Sequence, residues 1–119
     1  MELRMITRGE VWLVRLDPTE GHEQSKTRPC VVISNTLTNA SVGLCIAVPF
    51  TGRARYTKSG ILSPDLVEVI PPDGGLTKIS YSIAFQIRSL AHSRFVKKLG
   101  VLSSSKLDAI VDSVEQIVR

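Results

Sequence analysis

Aromatic side chains are scarce in this chain. One Trp, two Tyr and three Phe make up 5% of its 119 residues. That argues against a proline-peptide adaptor, whose groove is built from aromatic rings. It also leaves few platforms for base stacking, with Phe50 and Tyr56 the ones nearest to charged loop sequence. Cysteine is rarer still. Cys30 and Cys45 lie in apolar runs, PCVVIS and LCIAVPF, and neither has the spacing of a metal site. They read as small buried hydrophobes with reduced thiols, so neither a metal nor another cofactor is expected. No apolar run approaches the ~20 residues of a membrane span. The opening MELRMITRGEVW lacks the apolar core of a signal peptide, which makes a cytoplasmic protein the expectation. Repeats, low-complexity tracts and linkers are also missing, and the length suits one domain over residues 1–119.

What is present is an ordinary globular composition with a basic excess. Hydrophobic residues are 43% and charged residues 22%, enough for a packed core. The net charge is +4 and the pI about 9.4, which favours polyanionic partners. The cations fall in clusters: Lys26 with Arg28, then Arg53, Arg55 and Lys58, then Lys97 with Lys98. A basic surface fed by separate loops suits a nucleic-acid groove.

Short β-prone runs alternate with turn signals. Strands are predicted over 11–16, 29–34, 42–50, 66–70, 79–87 and 95–99. Asn35 to Ser41 reads as a turn, and Thr19 to Thr27 as a polar loop. Leu107, Ile110, Val111, Val114, Ile117 and Val118 recur at helical spacing, with Ser103 to Ser105 available to cap the helix. Six strands and one terminal helix predict a mainly β fold with a C-terminal α-helix, a small barrel.

Three stretches then carry a resemblance. GEVWLVRLDPTEGHEQSKTRPCVVIS covers 9–34, VPFT covers 48–51, and GLTKISYSIAFQIRSL covers 75–90. In this order and spacing they resemble the MazF/PemK-type toxins, with their G-x-E-Q loop, R-P dipeptide, V-P-x-T segment and Q-I-R signature. The resemblance implies an SH3-like β-barrel of the kind shared by MazF, PemK and CcdB, and a homodimer. It implies a toxin of a type II toxin–antitoxin system. Such a toxin cleaves single-stranded RNA at a short sequence, without a metal, leaving 2′,3′-cyclic phosphate and 5′-OH ends. It also implies a cognate antitoxin, for which the basic surface suggests an acidic, partly disordered tail.

The resemblance and the chemistry together name candidate residues. Arg28 is always charged and forks two donors toward phosphate oxygens, so it suits the transition state and the leaving oxygen. Pro29 restricts Arg28 to extended geometry. The Thr51 hydroxyl suits a non-bridging phosphate oxygen. Glu23 matches a family glutamate and suits the general base. By pKa alone His22 is the better base, although the family often has serine there, and the choice stays open. Gln24 and Lys26 complete the loop as base-edge and phosphate contacts. Arg53 and Arg55 read as phosphate contacts, and Gln86 as a groove residue. Arg88 either pairs with an acid or touches RNA. His92 reads as surface. Where the family often has a small polar residue after the threonine, this chain has Gly52, so the resemblance does not carry over the local contacts or the cut sequence. Two alternatives share the fold: a gyrase-poisoning toxin, against which the R-P and V-P-x-T pair argues, and a catalytically inactive RNA- or antitoxin-binding homologue.

Overall fold

The apolar runs fold as antiparallel strands, as their period-two patterning requires. The computed structural model describes residues 5–16 and 26–119. Its strands are β1 (Glu10–Arg15), β2 (Thr27–Val32), β3 (Leu44–Thr51), β4 (Leu66–Val69), β5 (Ser80–Ile83), β6 (Arg88–Ala91) and β7 (Phe95–Val101). They form one sheet in the order β4-β5-β3-β2-β1-β7, with β6 also on β3. β3 is the hub: β2 pairs along one edge, and β6 then β5 share the other. Among the described residues no ladder joins β4 to β7, so the mainly β fold with its terminal helix is an open sheet rather than a closed ring. No helix among the described residues is long and apolar enough to cross a membrane.

Alternation gives the sheet two apolar faces. Val11, Val31, Val48, Phe50 and Val69 point one way, where Leu102 and Ile110 cover them. Val14, Cys30, Val32, Cys45, Ala47, Leu90 and Phe95 point the other way, with Ile6 packed among them. Each fully buried aliphatic side chain here contributes roughly 1.5–3 kcal/mol. The two thiols are buried and free, as expected. Cys30 faces Pro49, and Cys45 lies four residues further along β3, about 13 Å away. That separation is too long for a disulfide.

The terminal helix, α2 (Ser104–Val118), forms where its periodicity predicts. Leu107, Ile110 and Val114 pack on the core, while Val118 is exposed. Its cap differs from expectation. Ser103 is the N-cap residue, but its hydroxyl makes no capping bond. It donates to Asp73 Oδ2 at 2.7 Å, and the Ser103 N–H donates to Oδ1 at 2.8 Å. The hydroxyl thus spends its proton on an acceptor-only carboxylate, and its oxygen takes no helix N–H.

Two other segments depart from the expected pattern. The turn at 35–41 is a helix, α1 (Thr36–Val42), capped by the Asn35 side chain and closed by left-handed Gly43. Its one buried residue is Asn39, so it has no apolar stripe to announce it. The strand expected over 79–87 is broken by a single 3-10 turn at Ala84–Gln86. Ile83 and Ala84 are both buried, as adjacent residues of a strand covered on two faces also are, so the apolar run does not reveal the break. The chain leaves β3 for one turn and rejoins it as β6.

Glu10 is a buried carboxylate that the sequence did not flag. Burial would raise its pKa, but the Thr7 N–H, the Trp12 indole and Lys98 together hold it below the usual value. Lys98 Nζ lies 3.0 Å from Oε2. A depressed carboxylate stabilises the fold above its unfolded pKa and loses that contribution as pH falls through its folded pKa. Glu10→Gln is expected to lower stability at pH 7 by about 2 kcal/mol. The gap to wild type should close on acidification below the ordinary carboxylate range. Denaturant melts from pH 7 to pH 3 check both signs.

Candidate active site

Proline opens the site. Both Pro29 of β2 and Pro49 of β3 lack an amide N–H, and the β2–β3 ladder ends at Cys30↔Pro49. Continuing that register by two residues sets Arg28 opposite Thr51, on the face that carries Cys30 and Ala47. Freed from ladder bonds, the strand ends part around an open pocket of about 500 Å³. Arg28, Thr51, Arg53, Arg55 and Gln86 line it, with Ala54, Leu66 and Ile83. Five residues named from the sequence thus meet in one place. Gln86 reaches it because the 3-10 turn sits where β5 gives way to β6.

The polar groups there are not equivalent. Thr51 Oγ1 accepts the Arg53 N–H at 3.3 Å, which leaves its own proton free to donate outward. Arg55 Nη2 lies 2.6 Å from Asp65 Oδ2, so much of its charge is already matched. Burial would raise the Asp65 pKa, but hydrogen bonds from Ser63 and Arg55 and the Arg55 charge hold it low. Arg28 and Arg53 have no acidic partner among the described residues. Arg88 has none either; it and Arg28 both lie close enough to act electrostatically on the Cys30 thiol, which burial pushes up to about 12.

Glu23, His22 and Gln24 lie outside the described residues. Lys26 is exposed at the start of β2, where its carbonyl accepts the Leu16 N–H. Pro29 lines a second pocket rather than the first. Lys97 and Lys98 lie on β7, not on a loop, and line neither pocket. His92 is half-buried, with a buried Nε2 and its ring edge-on to Phe95. Phe50 is 2% exposed and faces the core, so it is a wall and not a stacking platform. Tyr56 and Phe85, next in sequence to the lining residues Arg55 and Gln86, are exposed rings.

The sequence also missed a row on the same face. Thr51 pairs with Tyr81, and Tyr81 with Glu68. The Tyr81 hydroxyl donates to Glu68 Oε2 at 3.3 Å. Alternation in VEV and SYS marks one exposed face, but only the register brings it beside Thr51. The second pocket, of about 240 Å³, adjoins at Thr51 and is lined by Pro29, Phe50, Gly52 and residues 76–80. Of its lining, the sequence singles out Pro29, Phe50, Thr51 and Gly52 but not residues 76–80.

An open pocket with two unmatched arginines and a donor hydroxyl is suited to an anionic, phosphate-bearing substrate. Residues 7–118 match the family described as PemK-like, MazF-like toxin of type II toxin-antitoxin system. The endoribonuclease MazF of Staphylococcus saprophyticus is 33% identical over 111 residues, covering 93% of this chain and 89% of the relative. The crystal structure of MazF (Form-I) from Deinococcus radiodurans superposes with a TM-score of 0.78 at 25% identity, over 97% of each chain. A mycobacterial endoribonuclease in complex with its cognate antitoxin superposes at 0.73 and 23% identity, over 92% of this chain and 91% of the other. The chain belongs to the PemK-like, MazF-like toxin family of type II toxin–antitoxin systems.

Proposed function

We propose that the chain, as one toxin domain over 1–119, is an endoribonuclease that cuts single-stranded RNA, mRNA included, at a short sequence and so blocks translation. The convergence of Arg28, Thr51, Arg53 and Gln86 on one pocket carries this reading, and the MazF relative named an endoribonuclease supports it. The chemistry follows from the donors. A base takes the proton from the 2′-OH, and the 2′-oxygen attacks phosphorus. The bond from phosphorus to the 5′-oxygen breaks, and that oxygen takes a proton. The products are a 2′,3′-cyclic phosphate and a 5′-OH. Arg28 stabilises the dianionic transition state and the departing oxygen. Thr51 donates to a non-bridging oxygen. Glu23 is the proposed base, with His22 the alternative. No step requires a metal ion.

The active unit in this reading is a cytoplasmic homodimer. Its inhibitor is a cognate antitoxin whose acidic, partly disordered tail lies across the arginine pocket and folds on binding. The mycobacterial relative in complex with its cognate antitoxin supports a partner of this kind. The test is cleavage of a long mixed-sequence RNA in excess EDTA, with and without an acidic antitoxin-tail peptide. Cutting in EDTA that the peptide blocks is expected. A folded dimer that leaves every such RNA intact would overturn the nuclease reading, and a peptide that binds without competing would overturn the inhibitor's placement.

A further inference from the structure

Arg55 is held at both ends by the chain that follows it. Residues 57–60 make a tight turn: the Gly60 N–H donates to the Thr57 carbonyl at 2.9 Å, and Gly60 has φ +85°, which glycine adopts without steric cost. The chain then folds back, and Tyr56 bridges Leu62. This brings Ser63 and Asp65 beside Arg55. The Ser63 N–H donates to the Arg55 carbonyl at 2.8 Å, and Asp65 Oδ2 takes the guanidinium at 2.6 Å. We propose that Asp65 is a positioning residue for RNA cleavage, acting through Arg55. It fixes the guanidinium in the pocket wall as a directed, charge-balanced donor to phosphate and leaves the net positive charge to Arg28 and Arg53. This rests on the nuclease reading above.

Two mobile side chains that meet in water gain little, but this pair is unequal. The Asp65 side chain is 5% exposed and that of Arg55 60%. Oδ1 of the acid accepts the Ser63 hydroxyl, and the Asp65 carbonyl accepts the Ala84 N–H at 3.0 Å. Asp65 is therefore a fixed acceptor, and the arginine conforms to it. One guanidinium nitrogen is engaged among the described residues. The remaining N–H donors are left for the pocket that Arg55 lines. Binding and catalysis separate as a result. Net charge attracts substrate and transition state alike, and such uniform attraction lowers KM without raising kcat. Preorganised donors act on the charge that develops in the transition state. Arg53, with no acidic partner among the described residues, serves the first role. Arg55, balanced but aimed, serves the second.

A double-mutant cycle provides the test. Asp65→Asn keeps the side chain's shape and an acceptor for Ser63 but removes the charge. Arg55→Gln removes the partner. Both variants and their combination are assayed on an oligonucleotide with a mapped cut site, over a range of salt, with thermal melts to check the fold. Ser63→Ala, which frees the other carboxylate oxygen, takes the place of Asp65→Asn if that variant does not fold. Each single variant should lose roughly ten- to hundred-fold in kcat, the worth of a hydrogen bond to a charged group. In the Arg55→Gln background, Asp65→Asn or Ser63→Ala should cost no more than about threefold further, because contacting residues are not additive. KM should move the other way. Asp65→Asn returns full charge to Arg55, so KM falls at low salt, and log KM rises more steeply with log salt by about 0.7 for one added phosphate contact. A purely structural lesion would weaken binding and kcat together and add no slope. Wild-type kcat in a folded Asp65→Asn, losses that multiply in the double variant, or an unchanged salt slope overturns the proposal and leaves the nuclease reading standing. Failure of wild type to cut any RNA removes both together.

Discussion

Arg28→Ala should cut kcat/KM for RNA cleavage by at least about 10³-fold and leave the fold intact. Losing one preorganised donor to a developing oxyanion costs about 10²–10³, and a guanidinium at a transferring phosphoryl group is worth 10³–10⁵. Arg28 combines both roles in the proposed mechanism. The residue is half-buried at the end of β2 and lines an open pocket. Its side chain has no acidic partner among the described residues, so truncation leaves no buried charge behind. Arg28→Lys should recover only part of the rate, because an ammonium keeps the charge but not the fork. Initial rates on a mapped oligonucleotide, with thermal melts of each variant, separate chemistry from folding. Wild-type rates in Arg28→Ala would remove Arg28 from the mechanism.

The second large effect is on stability. Gly75→Ala should cost at least about 3 kcal/mol and lower the melting temperature by about 10 °C or more. Gly75 has φ +75°, and a Cβ there would sit 2.0 Å from the Leu99 carbonyl oxygen. The close approach has a cause in β7. Its pairing with β1 skips from Gly100 to Lys98, so Leu99 is the extra residue of a bulge and its carbonyl turns toward Gly75. The three nearest atoms, Leu99 O and C and Gly100 N, are all backbone, so none can rotate away. Gly52→Ala is the matched control, with open space at its Cβ and an expected change within about 0.5 kcal/mol. Equal melting temperatures for the two variants would contradict the packing at Gly75.

Legibility in the sequence followed physical simplicity. The first three strands were readable to within two or three residues because alternation and flanking turns agree. The terminal helix was readable because its stripe packs on one core. α1 was not, since it buries only Asn39, although Asn35 and Gly43 mark its two ends in the chain. The Ile83–Ala84 step was hidden because both residues are apolar, which looks like a continuing strand. Arg28 and Thr51 came from the resemblance, and their opposition follows from two prolines that end a ladder early. Arg55 looked equivalent to Arg53 in sequence, and only the approach of Asp65 across ten residues separates them. Tyr81 and Glu68 needed the register of three strands, which no local pattern contains.

In the proposed mechanism the 2′-oxygen attacks phosphorus at the Arg28 and Thr51 pocket without a metal ion. The most direct measurement is end-group analysis of RNA cut by wild type in excess EDTA, beside an oligonucleotide with a single 2′-deoxy nucleotide on the 5′ side of the cut. Attack by the 2′-oxygen should give 2′,3′-cyclic phosphate and 5′-OH ends, and no cleavage of the deoxy substrate. Cleavage of that substrate, or products with 5′-phosphate ends, would contradict it.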